Sequence, residues 1–171
     1  MVELCKNAFN QLLEQRLVKP ADQKRLIYEL EIIKKLNFSD YFLFVYDFIN
    51  HAKKQGIVIG PGRGSAAGSF ISYLLNITTI NPITYGLIFE RFLNPERKSM
   101  PDIDVDIMDS RREEVVDYLF SKYSKDKVAH IITFQRIKVK NAIRDVCRIL
   151  DLRTSETDEV IRFVSYDEIA D

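Results

Sequence analysis

The spacing of apolar residues along the first third of the chain predicts a succession of helices. Apolar side chains recur three or four positions apart, which places them on one face of a helix. Two such stretches are separated by Pro20, so we predict two helices with a break at that residue. A third helix is expected to begin at Ser39, a good N-terminal cap, and to end at Gly56. The apolar seam of this third helix consists of Phe42, Val45, Ile49 and Ala52.

The pattern beyond Gly56 predicts both strands and helices. Residues 57–59 are apolar and β-branched, which favours a short strand. Acidic and aliphatic residues alternate over 102–107, so we predict a strand with one carboxylate face and one core face. A further strand is predicted over 128–134. Helices are predicted over 65–75, 82–92, 111–123 and 136–150.

Glycine is concentrated between the first predicted strand and the helix that follows it. Four of the six glycines in the chain fall in IGPGRGSAAGS, residues 59–69. A glycine loop that leads into a helix capped by Ser65 presents backbone N–H groups at the positive end of a helix dipole, a geometry suited to phosphate. The loop matches neither a Walker A sequence nor the dinucleotide-binding GxGxxG pattern. A tight surface turn therefore remains the alternative.

The second candidate motif is MPDIDVDIMDS, in which Asp102, Asp104 and Asp106 share one face of a predicted strand. Successive carboxylates on that face are about 7 Å apart, so they repel each other unless a cation lies between them. An EF-hand calcium loop is excluded because Ile107 stands where that loop requires glycine. Mg²⁺ held by two carboxylates and by substrate phosphates fits better. An exposed acidic edge strand remains the alternative.

Composition and charge narrow the functional class. With 171 residues, 46% of them hydrophobic, the chain can bury a core. No apolar run approaches the length of a membrane span, so we expect a cytoplasmic protein that does not contact the membrane. Seven acidic residues and two arginines lie between positions 101 and 117, whereas eight basic and two acidic residues lie between 122 and 148. This asymmetry is typical of a protein that binds both cations and polyanions.

The basic segment has helical periodicity. Arg136, Lys140, Arg144 and Arg148 recur every four residues and form one stripe on the predicted helix. An apolar seam of Val139, Ile143, Val146 and Leu150 is expected to pack against the domain. The stripe is a candidate for contacts with DNA phosphates, with an ordinary solvated face as the alternative.

Several of these segments together resemble the bacterial C-family replicative DNA polymerases. The similar segments are YFLFVYDFINHAKKQG, GPGRGSAAGS, LIFERFLNPERKSMPDIDVDI, and HIITF followed by AIRDV. The resemblance implies an α+β fold: a polymerase-beta-like nucleotidyltransferase palm, built as a small mixed sheet with flanking helices, and the start of a helical thumb. It assigns residues 1–38 to helices leading into the palm, 39–134 to the palm and 135–171 to the thumb.

The same resemblance implies a site. It assigns contacts with the incoming nucleotide to Gly64, Ser65, Arg91 and Arg97, and the catalytic Mg²⁺ ions to Asp102 and Asp104. The implied reaction is two-metal nucleotidyl transfer to a primer 3′ end. A third carboxylate is expected beyond Asp171, so the chain alone should not polymerise DNA. The implied partners are a DNA primer–template, deoxynucleoside triphosphates and, through regions outside this chain, other replicase subunits.

Two other functional classes remain open from the residues. A smaller nucleotidyltransferase that modifies RNA, protein or a small molecule would use the same loop and aspartates. A non-catalytic binding module would retain the fold but bind neither Mg²⁺ nor nucleotide.

Overall fold

The computed structural model describes residues 1–96, 100–134 and 136–164 as a predominantly helical chain. It contains two compact units, Met1–Ala129 and His130–Asp171. The helices are α1 (Val2–Glu14), α2 (Gln23–Lys35), α3 (Ser39–Lys54), α4 (Phe70–Leu74), α5 (Arg112–Tyr123), α6 (Val139–Ile149) and α7 (Thr154–Arg162). Short 3-10 helices cover Pro20–Asp22, Gly64–Gly68, Phe89–Arg91 and Asp109–Arg111.

The first unit has a main apolar core and a small second cluster formed by Ala52, Ile57 and Val115. Helices α1 to α4 contribute most of the buried residues of the main core, and the segment around the Phe89–Arg91 turn completes it. The rings of Phe42, Phe70 and Phe89 are fully buried. Phe92 packs edge-on against both Phe42 and Phe89, with ring centroids 6.0 and 6.3 Å apart. Such edge-to-face pairs add to the stabilisation that burial itself provides.

Four of the helices predicted from apolar periodicity, α1, α2, α3 and α5, are confirmed in this unit. The break at Pro20 is present, where Pro20–Asp22 forms a 3-10 turn between α1 and α2. All four seam residues of α3 are buried. Helix α5 covers nearly the whole predicted range. Within the described residues, none of the helices combines the length and apolar character needed to cross a membrane.

Two predicted helices of the first unit are shorter than expected. Over 65–75, a 3-10 turn comes first and α4 starts at Phe70, so the N-cap is Ser69 rather than Ser65. The Ser69 hydroxyl accepts a hydrogen bond from the Ser72 N–H at 3.1 Å. Over 82–92, only the Phe89–Arg91 turn is helical. Gly86 explains this result, because its φ of +62° lies in the left-handed region and ends a right-handed helix.

The predicted α+β palm with a small mixed sheet is wrong for this structure, because the described residues form no strand and no sheet. Segments 57–59 and 102–107 do approach each other, but they share one isolated antiparallel bridge, Ile59 to Ile107. Residues 102–107 form a single extended segment, and their alternating pattern is explained by Ile103 and Val105, which pack against the core. A strand needs a hydrogen-bonded neighbour along its length. Segment 102–107 has such a neighbour only as far as Gly60, because the chain turns into the glycine loop after that residue.

The third predicted strand, residues 128–134, is also absent. Ile131 and Phe134 are 91% and 89% exposed, so their apolar side chains contribute no packing that would hold a strand. Apolar, β-branched composition favours a strand only where a partner surface covers it.

The second unit contains α6 and α7. Helix α6 begins at Val139, so Arg136 precedes the helix, and the basic stripe on the helix consists of Lys140, Arg144 and Arg148. The predicted apolar seam is largely wrong, because Val146 and Leu150 are exposed. Cys147 is the buried residue of α6. Helix α7, which the sequence pattern did not predict, buries Thr157 and Ile161.

The buried carboxylate of Glu29 joins α2 to the start of α4 in the first unit. The Glu29 carboxylate is fully buried and accepts hydrogen bonds from the N–H groups of Phe70 and Ile71 at 2.9 and 3.0 Å. The Ser69 hydroxyl donates to it at 2.9 Å, and Arg25 Nε donates at 2.6 Å. Burial raises the pKa of Glu29, although these donors oppose the rise. The carboxylate thus satisfies N–H groups that the first turn of α4 cannot pair internally.

We expect Glu29→Gln to lower the free energy of unfolding by about 3–5 kcal/mol, the usual result of removing one partner of a buried pair. The amide would point NH₂ donors at groups that are themselves donors, and Arg25 would lose its counter-ion. Chemical denaturation monitored by circular dichroism measures the change. Glu31→Gln is the matched control, since Glu31 is exposed on the same helix. Equal stability of the two variants would contradict a structural role for the Glu29 carboxylate.

Candidate active site

The glycine loop has a backbone that side-chain-bearing residues rarely adopt. Gly62 and Gly64 have φ values of +96° and +66°, in the left-handed region. A Cβ on Gly62 would lie 2.6 Å from Thr78 Cγ2, closer than carbon atoms pack. The same segment also holds the loop through a hydrogen bond, because the Thr79 N–H donates to the Pro61 carbonyl at 2.9 Å. Glycine is therefore needed here for both conformation and space.

Backbone hydrogen bonds attach this loop to the acidic segment 102–107. The Gly60 N–H donates to the Asp106 carbonyl at 2.9 Å, and the Met108 N–H donates to the Val58 carbonyl at 3.0 Å. A Cβ on Gly60 would lie 3.0 Å from Asp106 Cβ, so the two segments are in close contact. The two motifs singled out from the sequence are thus neighbours in space, although no sheet joins them.

Arg63 links the side chains of the two motifs. Its Nη2 lies 3.1 Å from Asp104 Oδ1, and its Nε lies 3.1 Å from Asp106 Oδ1. One guanidinium therefore bridges two carboxylates that would otherwise repel each other. All three side chains are at least one-third exposed, so water screens these ion pairs and limits their contribution to stability. The bridge fixes relative position more than it adds stability.

Asp104 also lies directly against the loop backbone. Its Oδ2 would be 3.1 Å from a Cβ placed on Gly64. The two oxygens of this carboxylate therefore have different surroundings, with Oδ1 at Arg63 and Oδ2 at Gly64. Asp102 is exposed, two positions earlier on the same extended segment. No cluster of three or more acidic, histidine or cysteine side chains that could hold a metal occurs in the described part of the chain.

A cavity brings three of the predicted nucleotide contacts together. It has a volume of about 460 Å³, and its lining includes Gly64, Ser65 and Arg91. Gly68 and Ile88 form part of the same wall, and a Cβ on Gly68 would lie 2.9 Å from the Ile88 carbonyl oxygen. The cavity therefore has a positively charged residue facing a loop with little side-chain bulk. Arg97, the fourth predicted contact, lies outside the described residues.

The predicted DNA contacts fall in the second unit. Arg136, Arg144 and Arg148 are exposed, and Lys140 is half-buried. Arg148 Nη2 pairs with Asp145 Oδ1 at 2.8 Å, an i,i+3 pair at the helix surface. Gln135, beside the start of the stripe, lies outside the described residues.

The sequence prediction missed the residues that support the cavity wall. Arg25 Nη2 donates to the carbonyls of Gly68 and Leu87 at 3.0 and 3.3 Å, while its Nε binds Glu29. Arg25 thereby connects Gly68, at the end of the glycine loop, to the cavity wall formed by Leu87 and Ile88. A signal was present, because Glu29 stands three residues after Leu26 and four before Ile33, on the apolar face of α2. A charged residue on a buried helix face calls for a partner.

Comparison with known proteins identifies the family. A family profile described as "Bacterial DNA polymerase III alpha NTPase domain" matches residues 1–170. The chain is similar to proteins named DNA polymerase III subunit alpha. It is 59% identical to the one from Ureaplasma parvum serovar 3 over 150 residues, which is 86% of this chain and 16% of that protein. It is 52% identical to the one from Campylobacter jejuni over 168 residues, which is 95% of this chain and 14% of the relative.

A third relative gives the same result. The DNA polymerase III subunit alpha from Bacillus subtilis is 52% identical over 154 residues, covering 89% of this chain and 14% of the relative. The chain thus spans 14 to 16% of the length of these three proteins. Because the profile match covers nearly the whole sequence, the chain belongs to the bacterial DNA polymerase III alpha family.

Proposed function

We propose that this chain supplies the nucleotide-binding loop and metal-binding carboxylates of a DNA polymerase that adds deoxynucleotides to a primer 3′ end. The observation that carries the proposal is the contact between Asp104 and Gly64. This glycine lies against a carboxylate and also lines the cavity that contains Ser65 and Arg91. The names of the relatives support polymerase chemistry over the other nucleotidyltransferase classes.

The cavity suits a triphosphate. Arg91 provides a positive charge, and Ser65 provides a hydroxyl donor within the same lining. Gly64 has no side chain to block the approach of phosphate oxygens to the backbone. We infer that the deoxynucleoside triphosphate lies along the glycine motif, with its phosphates between Arg91 and the aspartates.

The donor set fits Mg²⁺. This ion prefers oxygen ligands and is commonly held by one or two carboxylates together with substrate phosphates, so it does not require a third protein carboxylate at this position. Asp102 and Asp104 would hold it, and Asp104 would do so beside the phosphate loop. When bound, Mg²⁺ would lower the pKa of the primer 3′ hydroxyl and stabilise the charge on the leaving pyrophosphate. Arg63 would keep the Asp104 carboxylate oriented towards the loop.

The basic stripe of the second unit supports a role in holding DNA. Lys140, Arg144 and Arg148 lie on one helix, spaced four residues apart. We infer that this stripe contacts the phosphate backbone of the primer–template, a contact that is independent of base sequence. Asp145 orients Arg148 through their ion pair.

We expect Asp104→Asn, introduced into the full-length subunit, to reduce the primer-extension rate by roughly 10²- to 10³-fold, the usual size of losing one charge-stabilising group. The asparagine keeps the shape of the side chain but removes its charge. Single-turnover extension measures the rate, and fluorescence anisotropy should show unchanged DNA binding. Asp109→Asn is the control, since Asp109 is exposed beyond the bridge between the two segments. An Asp104→Asn protein as fast as the control would refute the proposed function.

Gly64→Ala should raise the KM for deoxynucleotides. Its Cβ would lie 3.1 Å from Asp104 Oδ2 and would also strain a backbone with φ of +66°. The matched control is Gly56→Ala, where φ is +70° but no heavy atom lies within 4 Å. Both variants should lose about 1–2 kcal/mol of stability through left-handed strain. Steady-state kinetics should show a raised KM for Gly64→Ala alone, whereas similar KM values in the two variants would count against a nucleotide at this loop.

The double substitution Lys140→Ala with Arg148→Ala should weaken duplex binding equally on unrelated DNA sequences. Each phosphate contact removed should reduce the slope of log K against log salt concentration by roughly 0.9. Titrations of the full-length subunit at several salt concentrations measure the slope. Lys34→Ala with Lys35→Ala removes the same charge from the exposed end of α2 and serves as the control. If both double variants keep the wild-type slope, the stripe does not contact DNA.

A further inference from the structure

Tyr41 connects helix α3 to the backbone between the two candidate metal ligands. Its hydroxyl oxygen accepts a hydrogen bond from the Ile103 N–H at 3.3 Å. Ile103 is the residue between Asp102 and Asp104, so this contact lies at the centre of the acidic motif. No sequence motif marks Tyr41 for this role.

Tyr41 is held in place by the apolar core. Its ring is half-buried and packs edge-on against Phe42, with centroids 6.4 Å apart. The Ile103 side chain packs against the same core. The hydrogen bond therefore joins two anchored groups and fixes the backbone from which both aspartates project, in a segment with no sheet ladder to hold it.

The charges of Asp102 and Asp104 affect the pKa of the Tyr41 hydroxyl. Burial raises the pKa of Tyr41, the hydrogen bond from Ile103 opposes the rise, and the charges of Asp102 and Asp104 raise it further. The Tyr41 hydroxyl is therefore protonated while it accepts the hydrogen bond from Ile103. Within the described residues, the backbone of Ile103, between Asp102 and Asp104, forms no other hydrogen bond with a side chain.

We propose that Tyr41 is a positioning residue for divalent-metal binding, which sets the relative orientation of the Asp102 and Asp104 carboxylates by fixing the peptide between them. The proposal rests on the proposed function. Two carboxylates bind one ion tightly only when their oxygens are already directed at a common point, because Mg²⁺ demands near-ideal geometry. Without the hydrogen bond, the backbone at Ile103 can rotate. Ordering it when the ion binds would then cost free energy and weaken the binding.

The test is Tyr41→Phe in the full-length subunit, which removes one oxygen atom and leaves the ring packing. We expect Mn²⁺ affinity, measured by electron paramagnetic resonance of the free ion, to fall roughly 3- to 10-fold, the equivalent of one hydrogen bond. The metal concentration for half-maximal primer extension should rise by the same factor, and the KM for nucleotide at saturating metal should remain unchanged.

Tyr46→Phe is the matched control. Tyr46 is half-buried on the same helix, and its hydroxyl forms no hydrogen bond with the described residues. Unchanged Mn²⁺ affinity in Tyr41→Phe would overturn the inference, as would a loss of thermal stability without a change in metal binding. Asp104→Asn separates the two proposals. If it abolishes Mn²⁺ binding and Tyr41→Phe does not weaken it, only the role of Tyr41 fails, whereas retained binding in Asp104→Asn contradicts the proposed function itself.

Discussion

The buried carboxylate of Glu29 is the constraint on which the cavity wall depends. A short helix such as α4 has few internal hydrogen bonds, so its first N–H groups need acceptors from elsewhere. Glu29 provides both acceptor oxygens from α2, and Arg25 extends the network to Gly68 and Leu87. A buried charge is tolerated only when it is fully paired, and here four donors reach it. The end of the glycine motif and the opposite wall are therefore held by one network.

The other end of the glycine motif is held differently. There the contacts are backbone hydrogen bonds to the acidic segment and to Thr79, together with the exposed bridge from Arg63 to Asp104 and Asp106. Exposed ion pairs contribute little stability, and their side chains can exchange partners with solvent ions. The loop is therefore held by the buried Glu29 network at Gly68 and by exposed side chains at Arg63, and Asp102 and Asp106 are open to solvent.

The sequence predicted the helical framework well and the connections between its elements poorly. Apolar periodicity found α1, α2 and α3, which pack in the main core, and α5, whose Val115 packs in the small second cluster, because packing against apolar neighbours creates the periodicity. The prediction of a strand over 102–107 failed because alternation reports one buried and one exposed face and carries no information about a partner. Segment 102–107 has those two faces, yet it meets residues 57–59 at only one bridge.

The candidate site was predictable in its residue types but not in its supports. The clusters of glycine and of aspartate marked the candidate residues, with a tight turn and an exposed acidic strand as the structural alternatives. Glu29 left one signal, its position on the apolar face of α2, whereas Tyr41 and Arg25 left almost none. A tyrosine or an arginine on a helix is common, and its long-range partner is encoded only by the fold. Glu29 is fully paired and buried, whereas Asp102 is exposed and Asp104 shares one oxygen with Arg63. A carboxylate whose acceptor positions are all filled, such as Glu29, serves only to hold the structure together. A carboxylate with free acceptor positions, such as Asp102, can bind a ligand. This difference separates the residues of the framework from those of the candidate site.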